Sequence, residues 1–147
     1  MSVLASGMDY VDLNFLGRPG IIASAVLKSA AGVAIVDPGP SSTLDALLKA
    51  LDLQGIAVGD VRQILLTHIH LDHAGATGSL LQLNPDIQVF VHERGARHLI
   101  DPSKLMASAT RLYGADMDRL WGAVVPVPAA RVTSFHGDER LSAGGRV

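Results

Sequence analysis

The chain has no cysteine in its 147 residues. No disulfide framework can form, and any bound metal must be held by His, Asp or Glu. No run of basic residues stands out and the formal net charge is −2. Binding to a phosphate backbone needs clustered Lys and Arg, so nucleic acid is not an expected partner. Long apolar runs are also missing. The longest, Ile21 to Leu27, is broken by Ser24 and falls far short of the ~20 residues that span a membrane. Residues 1–10 lack the basic stretch and apolar run of a secretory signal. There is no internal repeat and no low-complexity tract. The reading is a soluble, cytoplasmic protein. With 48% apolar and 18% charged residues, the chain can bury the core of one compact domain.

Periodicity suggests the elements. Val11, Leu13 and Phe15 alternate with Asp12, Asn14 and Leu16, a strand pattern. Arg18-Pro19-Gly20 is turn chemistry, and Ile21 to Leu27 reads as a second strand. A turn over Ser29 to Gly32 leads to a buried strand, Val33 to Val36, which stops at Asp37-Pro38-Gly39-Pro40. Ser42 and Asp45 form a capping-box-like pair. Leu44, Leu47, Leu48 and Leu51 then define one apolar helix face, and Gly55 ends that helix. Val61 to Thr67 is a strand whose Ile64, Leu65 and Leu66 are continuous, as in a strand buried on both faces. A helix from about Ala74 to Leu83 stops at Asn84-Pro85, and Ile87 to Val91 is the next strand. This order is an α/β pattern of helices layered on a sheet. Short helices follow between Glu93 and Trp121. Val124 to Pro128 is an extended connector, Arg131 to Phe135 starts another strand, and Gly137-Asp138 turns it. Gly144-Gly145-Arg146-Val147 reads as a hairpin turn entering a further strand.

Between the buried strand and the next helix runs Thr67-His68-Ile69-His70-Leu71-Asp72-His73-Ala74-Gly75. Three of the six histidines and one carboxylate fall within six positions, at a strand's carboxyl end, where α/β folds place ligand sites. His68 and His70 are two apart, so in extended backbone they point to the same side. Their ring nitrogens can approach one ion at about 2.0–2.1 Å. Asp72 and His73 fall at the turn into the next helix and can face a second ion. Gly75, with Ala74 and Ala76, lets the backbone crowd close to the site. Imidazole suits zinc and iron, and carboxylate is tolerable to both and to manganese. Two ions about 3.5–4 Å apart can share a water and lower its pKa, and can polarise a carbonyl or phosphoryl oxygen. There is no Cys nucleophile, and no Ser sits in a G-x-S-x-G turn.

His68, His70, Asp72 and His73 resemble the H-x-H-x-D-H signature of the metallo-β-lactamase fold superfamily. Val33-Ala34-Ile35-Val36-Asp37-Pro38-Gly39 resembles its preceding motif, a strand ending in Asp and Gly. The likeness is strongest from Val11 to Val91 and nearest to the glyoxalase-II-like and general hydrolase branches. It implies an α/β fold, the four-layer αββα sandwich, here as a single incomplete domain cut after roughly its first half. A helical insertion at residues 93–130 would lie over the metal cleft. It further implies that His68 and His70 bind a first metal, and Asp72 and His73 a second. Asp72 would also hold the attacking group, and Asp37 would brace the ligand loops from behind. Zinc, as two ions in the complete protein, is the expected cofactor, with iron or manganese as substitutes.

The expected function is a metallo-hydrolase using metal-bound hydroxide on an ester, thioester, lactone, amide or phosphoester of a small-molecule substrate, weak or inactive as this shortened chain. Two alternatives share the motif. One is a mononuclear iron oxidoreductase of the persulfide-dioxygenase kind. The other is an inert fragment that pairs with another copy through its unfinished sheet, a homo-oligomer. His92, His98 and His136 fall in no matching motif. His92 with Glu93 reads as a polar pair capping the following helix, and the other two as surface residues. Met106, Tyr113, Met117 and Trp121 either pack the short helices on the sheet or line a substrate site. Gly39-Pro40-Ser41-Ser42 lacks the spacing and Lys of a phosphate-binding loop and reads as an ordinary helix start.

Overall fold

The computed structural model describes residues 2–145. Its centre is one seven-stranded sheet whose spatial order follows the sequence. The strands are β1 (Ser2–Ala5), β2 (Met8–Asp12), β3 (Ala23–Ser29), β4 (Gly32–Val36), β5 (Val61–Leu65), β6 (Gln88–His92) and β7 (Val132–Phe135). The first four pair antiparallel as hairpins. From β4 onward every pairing is parallel, so each later connection must cross over. The crossovers carry α1 (Leu44–Leu53), then α2 (Leu71–Ala74) with α3 (Thr77–Leu83), then α4 (Glu93–Ile100), α5 (Ser103–Tyr113) and α6 (Met117–Leu120). A sheet that grows in one direction through crossovers of one hand stacks their helices on one face.

Alternation along the strands produces that face. Val33 and Ile35 of β4, Ile64 of β5, and Val89 and Val91 of β6 join Leu47 and Leu51 of α1, Leu80 of α3 and Leu99 of α4 in the main core. The opposite face holds a smaller cluster of Leu27, Ala34 and Ala143, with Met8, Val36 and Leu65 packed on it. One sheet and one helix layer amount to half of the αββα sandwich that the resemblance implies. None of the described helices is long and apolar enough to cross a membrane.

Several boundaries differ from the sequence reading, each for a visible reason. The Val11, Leu13, Phe15 alternation marks burial rather than one strand. All three are buried, but β2 stops at Asp12, Asn14 and Leu16 take positive φ values of 49° and 53°, and Phe15 lies in a 3-10 turn stacked on Trp121. Strand β3 begins later than Ile21, which is exposed. The β1–β2 hairpin has no counterpart in the reading, because Leu4 and Tyr10 are exposed and give no clean pattern. The Ser42–Asp45 capping box does not form. The Ser42 hydroxyl instead donates to the carbonyl of Leu120 at 2.6 Å, and α1 starts after Thr43 without a side-chain cap. The expected helix over 74–83 is interrupted, because Ala76 donates its N–H to Gly39 at 2.8 Å. Leu65 is only half-buried, since its face of the sheet is thinly covered. The turn expected at Gly144 and Gly145 is present, both at positive φ. The strand expected beyond it falls on residues 146–147, outside the described residues.

Candidate metal centre

Adjacent parallel strands place the site. Asp37 directly follows β4, and Thr67, His68 and His70 follow β5, so both loops emerge from neighbouring carboxyl ends. The loops are bonded together. Asp37 donates its N–H to Leu65 at 3.0 Å, Gly39 donates to His73 at 2.9 Å, and Ala76 donates back to Gly39 at 2.8 Å. Gly39 sits at φ 85° against the side chain of Leu13, where a β-carbon would collide.

Asp37 is buried and holds φ 51°, a region that Asp and Asn tolerate better than other side chains. Its carboxylate gathers three donors. The Thr67 N–H reaches Oδ1 at 2.8 Å, and the Thr67 hydroxyl reaches Oδ2 at 2.6 Å. His73 Nδ1 lies 2.9 Å from Oδ2. Tautomers follow from the proton count. A carboxylate only accepts, so His73 Nδ1 carries a proton, and in the neutral ring it is Nε2 that holds the lone pair. The Thr67 hydroxyl proton is spent on Asp37, so the 2.9 Å contact from His68 Nδ1 to Thr67 Oγ1 makes His68 Nδ1 the donor. Its Nε2 is likewise left as a ligand.

Those rings converge. One ligand atom each from His68, Asp72 and His73 lies within 4.8 Å of the others. Asp72 Oδ2 is 3.3 Å from His73 Nε2. The His68 and His73 rings are 4.1 Å apart between centroids. His70 stands outside this trio, edge-on to His68 at 4.8 Å, and caps α2, where its carbonyl accepts from His73 and Ala74. Desolvation of the ring, then the neighbouring imidazoles of His73 and His70, hold the His68 pKa below its ordinary value against the opposing pull of Asp37 and Asp72. A lowered pKa favours the neutral imidazole, the form that ligates metal. Two imidazoles and a carboxylate are a donor set suited to zinc.

The other candidates separate. His92 Nδ1 accepts from the N–H of Arg94 at 3.1 Å, capping α4 as the sequence suggests. His136 pairs with Glu93 at 2.9 Å on the surface. His98 is half-buried beside α5 rather than free at the surface. Met117 is buried, with Met106, Tyr113 and Trp121 packed around it and Leu71. Tyr113 and Trp121 also line a cavity of about 330 Å³ that reaches His70 and Asp72. Trp121 Nε1 is buried there without a partner among the described residues. Thr67 escaped the sequence reading. Its only signal was a hydroxyl immediately before the first ligand histidine.

This arrangement is an α/β fold with a candidate metal-ligand cluster gathered at the sheet's carboxyl end. The sequence model of the metallo-beta-lactamase superfamily matches residues 17–145, and the chain belongs to that superfamily. It is similar to "Metallo-beta-lactamase domain-containing protein 1" of Rattus norvegicus, 46% identical over 55 residues that cover 37% of this chain and 22% of the relative. It is 34% identical over 73 residues to the probable metallo-hydrolase YybB of Bacillus subtilis, covering 50% of this chain and 31% of that one. The FEZ-1 metallo-beta-lactamase from Legionella gormanii shares its fold, with a TM-score of 0.69 at 18% identity over 98% of this chain and 49% of that structure. The chain thus spans less than a third of these curated relatives and about half of the solved structure. At family level that superfamily is one of metal-dependent hydrolases that bind metal ions such as zinc.

Proposed function

We propose that this chain supplies the ligand loops of a zinc-dependent hydrolase that cleaves an ester, thioester, lactone, amide or phosphoester of a small molecule. The observation that carries this reading is the Asp37 carboxylate, which through Thr67 and His73 Nδ1 orients two imidazoles that each offer a ligand atom within 4.8 Å of Asp72.

His68, Asp72 and His73 would hold one ion, and His70 stands near enough to join or to hold a second. Zinc held there would supply an acidified water and polarise the carbonyl or phosphoryl oxygen of the substrate. The chain's own contribution is positional. Asp37 and Thr67 fix the ring tautomers, because a ligand histidine whose other nitrogen is hydrogen bonded is held in one orientation. Asp72 is partly exposed, so its carboxylate can accept a proton from an attacking water and orient it. Leu71, buried against α5 and α6, holds the turn that presents Asp72 and His73.

Elemental analysis of the purified chain beside a His68→Ala/His70→Ala variant tests the reading. Near-stoichiometric zinc that disappears in the variant is expected. Absence of metal from the wild-type chain, or equal metal in both, would overturn it. Bound iron with oxygen uptake would replace the hydrolase with an oxidoreductase.

A further inference from the structure

The cavity of about 330 Å³ beside the ligand loop has a distinctive wall. Leu71, Leu105, Ala109, Leu112, Tyr113 and Trp121 provide most of it, with Ser108 as an added hydroxyl and His70 and Asp72 completing the wall nearest the metal ligands. Among the described residues, no lysine or arginine lines it. The guanidinium on α5, Arg111, is not itself in the lining and donates to the Oγ of the lining residue Ser108 at 3.4 Å. One side of the cavity is firmly held. Trp121 stacks on Phe15 at 5.6 Å and meets Tyr113 edge-on at 5.2 Å. Its carbonyl accepts from the N–H of Ser42 at 3.1 Å, which ties the end of α6 to the start of α1.

We propose that this cavity takes an uncharged, apolar acyl or aryl group of the substrate and sets the bond to be cleaved beside His70 and Asp72. The proposal rests on the hydrolase reading and narrows it. A phosphate or carboxylate placed there would lose its hydration against aliphatic walls without a paired cation, and would face the Asp72 carboxylate. An aliphatic or aromatic group gains from the same walls in proportion to the area it buries. Esters, amides and lactones with an apolar acyl part therefore fit, and a substrate that must seat a charged group in the cavity does not.

Trp121 is the only tryptophan in the chain, so its fluorescence reports occupancy without metal or turnover. The purified chain is titrated with butanamide, hexanamide, octanamide and hexanedioate. The amides should give a saturable change, with half-saturation falling at least about tenfold from the shortest to the longest, and hexanedioate, charged at both ends, should give none. Leu112→Arg places a charge at a wall position that is 74% exposed, so folding is spared. It should weaken octanamide binding about tenfold or more at an unchanged melting temperature. No saturable response to octanamide, no dependence on chain length, a hexanedioate response equal to that of hexanamide, or undiminished binding by the variant would each overturn the proposal. Metal content measured on the same samples separates the two readings. Amide binding without metal removes the hydrolase and keeps the pocket, and metal without amide binding removes the pocket alone.

Discussion

Asp37 and His73 lie 36 positions apart and meet at 2.9 Å, Oδ2 to Nδ1. This contact joins the loop after β4 to the turn that carries Asp72 and His73, and it decides which nitrogen of His73 is free. Asp37→Asn tests it cleanly, because Asn tolerates the same positive φ but has one acceptor oxygen for the three donors that Asp37 serves. Zinc affinity, measured by competition with a chromophoric chelator, should fall about 10–100-fold. An affinity within about twofold of wild type would mean that the bond does not govern the ligand.

Thr67 extends the same control to His68. Thr67→Val keeps the shape and removes the hydroxyl that bridges Asp37 and His68 Nδ1. Zinc affinity should drop about tenfold or more, and nitrogen NMR of the metal-free protein should show His68 losing its fixed Nδ1–H tautomer. Thr67→Ser should recover both readouts. A serine variant as impaired as the valine one would assign the effect to packing of the methyl group.

What the sequence disclosed follows from how local each signal is. The candidate ligand cluster is legible because its members lie within one turn of chain after a buried strand, and Asp37 because it ends the neighbouring strand. The leucines at 44, 47, 48 and 51 give α1 because a helix facing a sheet needs that one apolar stripe, and Leu47 and Leu51 are indeed buried. Thr67 was not legible, since its role exists only once Asp37, 30 positions away, is brought to 2.6 Å. The break before α3 is of the same kind, with the N–H of Ala76 taken by Gly39 from another loop. Ser42 looked like a cap because the cap signature is local, and a distant partner, the carbonyl of Leu120, claimed its hydroxyl instead. The cavity beside the metal ligands is furthest from the sequence. Its walls come from α5, the end of α6 and the ligand turn, and nothing in their spacing distinguishes a lining residue from a packed one.

Ile64 anchors β5 beneath the ligand loop and is fully buried in the main core. Ile64→Ala should cost about 2–5 kcal/mol in urea denaturation, and Ile64→Val about 0.5–1.5 kcal/mol. Leu83 is 52% exposed, so Leu83→Ala should stay within about 0.5 kcal/mol of wild type. Equal losses at the two positions would show that the sheet core is not organised as described.

Asp12 clamps the loop that delivers Phe15 to Trp121. Its carboxylate accepts from the N–H groups of Asn14 at 2.9 Å and Gly20 at 2.6 Å, and these bonds, Asn14 first, hold its pKa below the ordinary 3.8. Because the folded value lies below the unfolded one, the stabilisation is complete above the unfolded pKa and is lost as pH falls through the folded value. Asp12→Ala should therefore be less stable than wild type at neutral pH, and the gap between their urea midpoints should narrow as the pH falls below the ordinary 3.8 and through the lowered folded value. The ring of Phe15 stacks on the sole tryptophan, so the same acid step should appear in wild-type Trp121 emission and be missing from the variant. A midpoint difference that stays constant from neutral pH into acid would show that the two backbone bonds do not hold the loop.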